Sequence, residues 1–223
     1  MPADAPPTTA VIFDCESDSK PRHSYGETRN EQEFKFVQCT CACARIVPAA
    51  QLPSLEGATK LTCWRDDEAH GRNPFEPLLA AFDAASVIVG YNALEFDFPL
   101  LWKHYSKKQS RRYLEHRIKC LDLFSRLRAV SGHWPRLDDL LIGNELAAKC
   151  GDGREAIRLW QAGKRDELEA YCQADVQRTT ELALLPRMAY GMTTMPAHVY
   201  GLLPMLQAVG TAVPEVVDGF VVV

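Results

Sequence analysis

The segment VIFDCES, residues 11–17, decides the fold. Val11, Ile12 and Phe13 make a short apolar run that reads as a buried strand, yet Asp14 and Glu16 follow at alternate positions. In a strand those two side chains stand on one face, about 6–7 Å apart along the chain. Two carboxylates on one face of a core strand are costly unless something neutralises them. A first strand over 10–16 therefore carries its own functional question.

The rest of the composition narrows the answer. A chain of 223 residues suits one good-sized domain with an appendage. Hydrophobic content of 47% and charged content of 24% are ordinary for a globular protein. No stretch approaches the roughly 18 consecutive apolar residues of a membrane helix. Residues 1–9 read as a flexible lead-in without the basic start and apolar run of a secretory signal, so a cytoplasmic location and no membrane partner are expected. The net charge of −4 excludes a global basic field but leaves room for a local basic groove.

Eight cysteines, at 15, 39, 41, 43, 63, 120, 150 and 172, are spread too widely for a small disulfide scaffold. The CTCAC run at 39–43 puts Cys39, Cys41 and Cys43 on one face of a strand. Zinc sites favour C-x2-C pairs with a matching second pair or histidines, so buried small hydrophobes are the preferred reading over a metal cluster.

Along the chain, 34–47 and 60–64 add two β-prone runs after an exposed polar insertion at 17–34. The spacing predicts a helix over 73–86, with Asn73 as N-cap and Pro74 at the first helical position. VIVGYN, 87–92, reads as a buried strand, and 95–131 as helical with a break near Ser110. A short helix around RLDDLL precedes the clearest helix, 166–185, which Asp166 and Glu169 would cap and Pro186 would end. Strands first, then a strand among helices, gives an α/β or α+β layout. Residues 187–223 form an extension with scattered Gly and Pro that closes on GFVVV.

The last helix repeats the oddity of the first strand. Its apolar stripe runs through Leu168, Tyr171, Cys172, Thr179, Leu182 and Ala183, and Asp175 falls inside it. A third case is Asp97, flanked by Phe96 and Phe98 just after a buried strand. Each acid alone could be satisfied locally by a cap, an arginine or a backbone amide. Four acids from three segments are explained together if they meet around divalent cations such as Mg²⁺, which take hard oxygen ligands.

FDCES, GYNALEFDFPLL and AYCQADV resemble the three motifs of the DEDD superfamily of 3′–5′ exonucleases, tyrosine subgroup. The resemblance runs from about residue 10 to 185, and an exonuclease domain over 10–186 is expected. Its first motif is Asp14 and Glu16, its second Asn92 with Phe96–Asp97, its third Tyr171 and Asp175. Ala170 stands where the histidine subgroup would place its His. The stretch from CLDLF at 120–124 onward is similar to stand-alone relatives of the family B DNA polymerase proofreading domain.

The resemblance implies an α/β, RNase H-like fold with a five-stranded mixed sheet flanked by helices. It implies two divalent cations, Mg²⁺ or Mn²⁺, held by Asp14, Glu16, Asp97 and Asp175, with Tyr171 orienting the attacking water. A phenol, with an ordinary pKa near 10, is a poor general base at neutral pH. The expected reaction is hydrolysis of single-stranded nucleic acid from its 3′ end to nucleoside 5′-monophosphates, with DNA favoured over RNA by analogy. A polymerase, helicase or other nucleic-acid-processing chain is the implied partner. An RNA or short-oligonucleotide exonuclease and a non-catalytic binding module on the same fold stay open.

Residues 103–119 hold seven Lys/Arg against one acid. Lys107, Lys108, Arg111 and Arg112 are candidates for phosphate contacts, with Tyr105 or Tyr113 for stacking and Asn92 and Phe96 for the substrate end. A solvated helix face is an equally good reading of that segment. His133 and Trp134 read as structural.

Overall fold

The computed structural model describes residues 9–21, 34–48, 51, 57–67, 72–148 and 153–190, with short strands beyond at 193–196, 215–217 and 220–222. Five strands form one mixed sheet: β1 (Thr9–Ser17), β2 (Cys39–Pro48), β3 (Thr59–Trp64), β4 (Val87–Gly90) and β5 (Cys120–Asp122). Their order is β3-β2-β1-β4-β5, so the acidic strand lies at the centre. It pairs antiparallel with β2 and parallel with β4, and β4 pairs parallel with β5. The expected five-stranded mixed sheet flanked by helices is present.

Both faces of β1 are covered, which is why its sequence is almost continuously apolar. Ala10 and Ile12 enter one hydrophobic cluster with Leu159 of α6 (Gly153–Gln161) and Leu168, Cys172 and Val176 of α7 (Arg165–Leu184). Val11, Phe13 and Cys15 enter the other, with Leu78, Leu79 and Phe82 of α1 (Glu76–Ala84) and Phe98, Leu100 and Leu101 of α2 (Asp97–Leu101). Tyr113 of α3 (Ser110–Ile118) joins this second cluster. Leu123 and Leu127 of α4 (Leu123–Ser131) and Leu140 and Leu141 of α5 (Leu137–Gly143) belong to the first.

Four local expectations need correction. The run at 34–47 is strand only from Cys39, because the Val37 N–H bonds back to Phe34 O and closes a turn. Asn73 accepts the Phe75 N–H in a short turn, and the helix starts at Glu76 rather than at Pro74. The supposed helical stretch at 95–131 is interrupted by β5, a three-residue edge strand too short to leave a period-two pattern. Helix α7 has Lys164 at its N-cap with no side-chain cap, and Asp166 instead places its charge in the first turn.

After α7, β6 (Arg187–Tyr190) pairs with β7 (Thr193–Pro196). Asn144 holds β6 by two bonds with Ala189, donating to its O at 2.9 Å and accepting from its N at 2.7 Å. Met188 is buried in the first cluster. Strands β8 (Glu215–Val217) and β9 (Phe220–Val222) pair antiparallel. The lead-in 1–8, most of the 17–34 insertion, Cys150 and the greater part of the tail lie outside the described residues. No described helix is long and apolar enough to cross a membrane.

Candidate active site

The even positions of β1 face α7. Asp14 lies directly across from Cys43 on β2, and Glu16 directly across from Cys41, so all four share that face. Asp14 is half-buried and Glu16 buried. Helix α7 lays Tyr171, Cys172 and Asp175 against the strands. Cys172 Sγ lies 3.5 Å from the main-chain O of Asp14 and 3.7 Å from its Oδ2. One oxygen each from Asp14 and Glu16 and the Cys172 sulfur all lie within 4.8 Å of one another.

Hydrogen bonds between helix and sheet set the height of α7. Glu169 Oε1 accepts from Thr62 Oγ1 at 2.7 Å, and Thr62 Oγ1 in turn accepts from Gln173 Nε2 at 3.1 Å. Arg45 of β2 donates to Gln177 one turn further on. Asp175, only 2% exposed, accepts from Arg178 Nη1 at 2.9 Å through Oδ1.

Asp97 arrives through a tight connection. Gly90 ends β4 where a Cβ would stand 2.5 Å from the Ala93 Cβ, so no larger residue fits without movement. Asn92 then adopts φ 62°, the left-handed region that asparagine tolerates. Its O accepts the N–H groups of Glu95 and Phe96. Phe96 rests edge-on against Phe34, with centroids 5.7 Å apart. Helix α2 begins at Asp97, and Asp97 Oδ1 accepts the Cys15 N–H at 2.8 Å. Burial pushes the Asp97 carboxyl up to about 7, with the Asp122 charge adding to the effect and the Cys15 N–H opposing it.

Asp122, within CLDLF, is a site-building residue with no role evident from the motifs. Its Oδ1 accepts from Asn92 N–H and its Oδ2 from Leu94 N–H, both at 2.9 Å. It also caps α4 by accepting from Ser125 N–H. One buried carboxylate thus shapes the loop that delivers Asp97. The signal was of the same kind as for the other acids: an aspartate among apolar neighbours, here Leu121, Leu123 and Phe124.

The basic segment divides. Lys107 and Lys108 are exposed on a 3-10 turn, and Arg111 is exposed beside Glu115 at 2.7 Å. Arg112 is instead held by Glu76 at 2.8 Å and Asp83 at 2.7 Å, tying α3 to α1. Asp83 also meets His116 Nε2 at 2.7 Å, and His116 Nδ1 meets the Tyr105 hydroxyl at 2.8 Å. Tyr105 and Tyr113, considered above for stacking, are both buried in the second cluster and cannot serve. Trp134 is an exposed aromatic tied to the Asn92–Phe96 turn: the Arg128 guanidinium lies 3.7 Å from its ring centroid, and Arg128 also reaches Glu95 at 3.4 Å.

Asp14 and Glu16 bring hard-oxygen donors close together, while Asp97 and Asp175 are buried on α2 and α7 and do not join that close group. That chemistry fits Mg²⁺ or Mn²⁺.

No protein-family model matches the chain, and no curated protein matches it in sequence. Solved structures do match. A family B DNA polymerase from the hyperthermophilic archaeon Pyrobaculum calidifontis aligns with a TM-score of 0.50 and 17% identity, over 82% of this chain and 25% of that one. E. coli exonuclease I in complex with a dT13 oligonucleotide aligns with a TM-score of 0.47 and 13% identity, over 79% of this chain and 40% of that one. The chain thus spans about a quarter of the polymerase's length and two fifths of the exonuclease's. The likeness to the polymerase shows the fold alone: an RNase H-like α/β domain.

Proposed function

We propose that this chain is a metal-dependent 3′–5′ exonuclease of the DEDD class, tyrosine subgroup, acting on single-stranded DNA ends to release nucleoside 5′-monophosphates. The observation that carries the reading is convergence on β1. Asp97 bonds the amide between Asp14 and Glu16, while the α7 face bearing Asp175 packs over the same strand. The fold is shared with a DNA polymerase, and the resemblance of the motifs to proofreading domains favours DNA over RNA.

Asp14, Glu16, Asp97 and Asp175 are the residues that would hold two divalent cations. Such cations acidify the attacking water and neutralise the leaving 3′-oxygen. Around them, Tyr171 orients the water through its hydroxyl, and Asn92 and Phe96 face the terminal nucleotide. Lys107, Lys108 and Arg111 offer charge to the strand's phosphates. Arg112 adds to the field of that segment only through its residual exposure, since two carboxylates already hold it.

A second reading has one observation in its favour. Asp175 is already partnered by Arg178, as a residue in a non-catalytic nucleic-acid-binding module would be. A denaturing-gel time course separates the two. The protein meets a 5′-labelled single-stranded DNA 20-mer or its RNA counterpart with Mg²⁺, Mn²⁺ or EDTA, beside Asp14→Ala. A ladder shortening from the 3′ end, requiring metal and lost in the variant, supports the exonuclease. Binding without cleavage by folded protein overturns it in favour of the module.

A further inference from the structure

The residues facing Asp14 and Glu16 across the sheet are not spectators in chemical terms. Cys43 is the cross-strand partner of Asp14, and Cys41 that of Glu16. Cys172 descends from α7 onto the same patch. The three sulfurs lie within 4.8 Å of one another, with Cys41 and Cys43 at 3.8 Å. All three residues are buried, and the described cysteines form no disulfide.

Tetrahedral zinc has a definite size. With Zn–S about 2.3 Å and Zn–O about 2.0 Å, the sulfur–sulfur edge is about 3.8 Å and the sulfur–oxygen edge about 3.5 Å. The Cys41–Cys43 separation matches the first edge. The 3.7 Å between Cys172 Sγ and Asp14 Oδ2 is close to the second. Packed thiols also touch at such distances. What sets this cluster apart is a carboxylate beside it: Asp14, half-buried, touches the cluster through Cys172 and stands with Cys172 and Glu16 in a second group of close donor atoms.

We propose that Cys41, Cys43 and Cys172, with Asp14 as fourth donor, form a site for a thiophilic divalent cation of the zinc class, whose occupancy withdraws Asp14 from the hard-cation site. Binding converts three thiols to thiolates and releases three protons. Three thiolates, one carboxylate and the dication leave a formal charge of −2, that of a four-cysteine zinc site. The Thr62 hydroxyl lies 3.8 Å from Cys43 Sγ. Soft donors on β2 thus stand beside hard donors on β1, and Asp14 belongs to both sets. The site itself is independent of the proposed function; only the inhibitory consequence rests on that reading.

The test uses the full chain, reduced and freed of metal, titrated with Co²⁺ and then Zn²⁺. One equivalent of Co²⁺ is expected to give intense near-ultraviolet thiolate-to-cobalt absorption with tetrahedral visible bands, and Zn²⁺ is expected to bleach both. Cys41→Ala/Cys43→Ala, or Cys43→Ala alone if the double variant melts early, should lose the thiolate absorption. Asp14→Asn should weaken Co²⁺ binding at least tenfold. In the nuclease assay, Zn²⁺ should block Mg²⁺-supported cleavage, and Cys43→Ala should need at least tenfold more Zn²⁺ for the same block. Absence of thiolate absorption in folded protein, or its persistence in the cysteine variants, overturns the site. Unaltered Co²⁺ affinity in Asp14→Asn overturns the fourth donor. Cobalt absorption without any nuclease activity would leave the site standing and remove the exonuclease reading instead.

Discussion

Asp97 Oδ1 accepts the main-chain N–H of Cys15 at 2.8 Å, which fixes the start of α2 to the stretch of β1 between Asp14 and Glu16. A side chain 82 residues away thereby becomes part of the central strand's hydrogen bonding. The same burial that makes this bond strong makes the carboxylate form of Asp97 expensive.

With its pKa pushed up to about 7, Asp97 holds its proton more tightly folded than unfolded. Its effect is absent below about pH 4, grows as pH rises toward 7 and is constant above, reaching on the order of 4 kcal/mol of destabilisation. In EDTA, the melting temperature of the wild type should therefore fall across that window more steeply than that of Asp97→Asn. Mg²⁺ or Mn²⁺ should recover much of the difference at pH 7 and above. Equal pH slopes for the two proteins would count against a buried, ionising Asp97.

Asp14→Ala is expected to abolish turnover with little loss of fold. For Asp175 the better substitution is Asn, because alanine would leave the nearly buried Arg178 charge without its partner. Tyr171→Phe should cut the rate by roughly 10- to 100-fold, since only orientation of the water is lost. Single-turnover rates, measured beside melting curves, decide each case.

Lys107, Lys108 and Arg111 should behave differently from Arg112. Replacing the first three with alanine should weaken single-strand binding and lower the salt slope by about 0.7 for each phosphate contact removed. Arg112→Ala should leave the slope nearly unchanged and cost about 1–3 kcal/mol of stability, because Glu76 and Asp83 lose the group that joins them. Filter binding across a salt series, with denaturant melts of each variant, reads both quantities.

Asp122→Ala removes no proposed cation donor, yet it strips acceptors from the N–H groups of Asn92, Leu94 and Ser125. A loss of about 1–3 kcal/mol is expected, together with reduced activity as the Asn92–Phe96 turn loosens. Asp122→Asn, which keeps an acceptor oxygen, should recover part of both. Full activity in Asp122→Ala would show that Gly90 and Asn92 hold the turn unaided.

The acids were legible in the sequence because each interrupts an apolar pattern, and the structure does bury Glu16, Asp97 and Asp175. The stripe on α7 was legible for the same reason. What escaped was anything decided between segments. Strand β5 is three residues long and exists through its pairing with β4. Arg112 looked like a phosphate ligand until two carboxylates of α1 were found around it. The thiol cluster needed Cys172 to reach two cysteines of β2, a meeting that no spacing within CTCAC could reveal.

The placement of Asp175 on α7 also has a consequence in time. Helix α7 leaves the ribosome long after β1, and at about 5–20 residues per second the gap between Asp14 and Asp175 is on the order of ten seconds or more. During that interval the sheet can pair while its last carboxylate is still being made. On the proposed reading, a nascent chain that already exposes Asp14, Glu16 and Asp97 would still lack Asp175, and hydrolytic competence would arrive only when the final helix closes over the central strand.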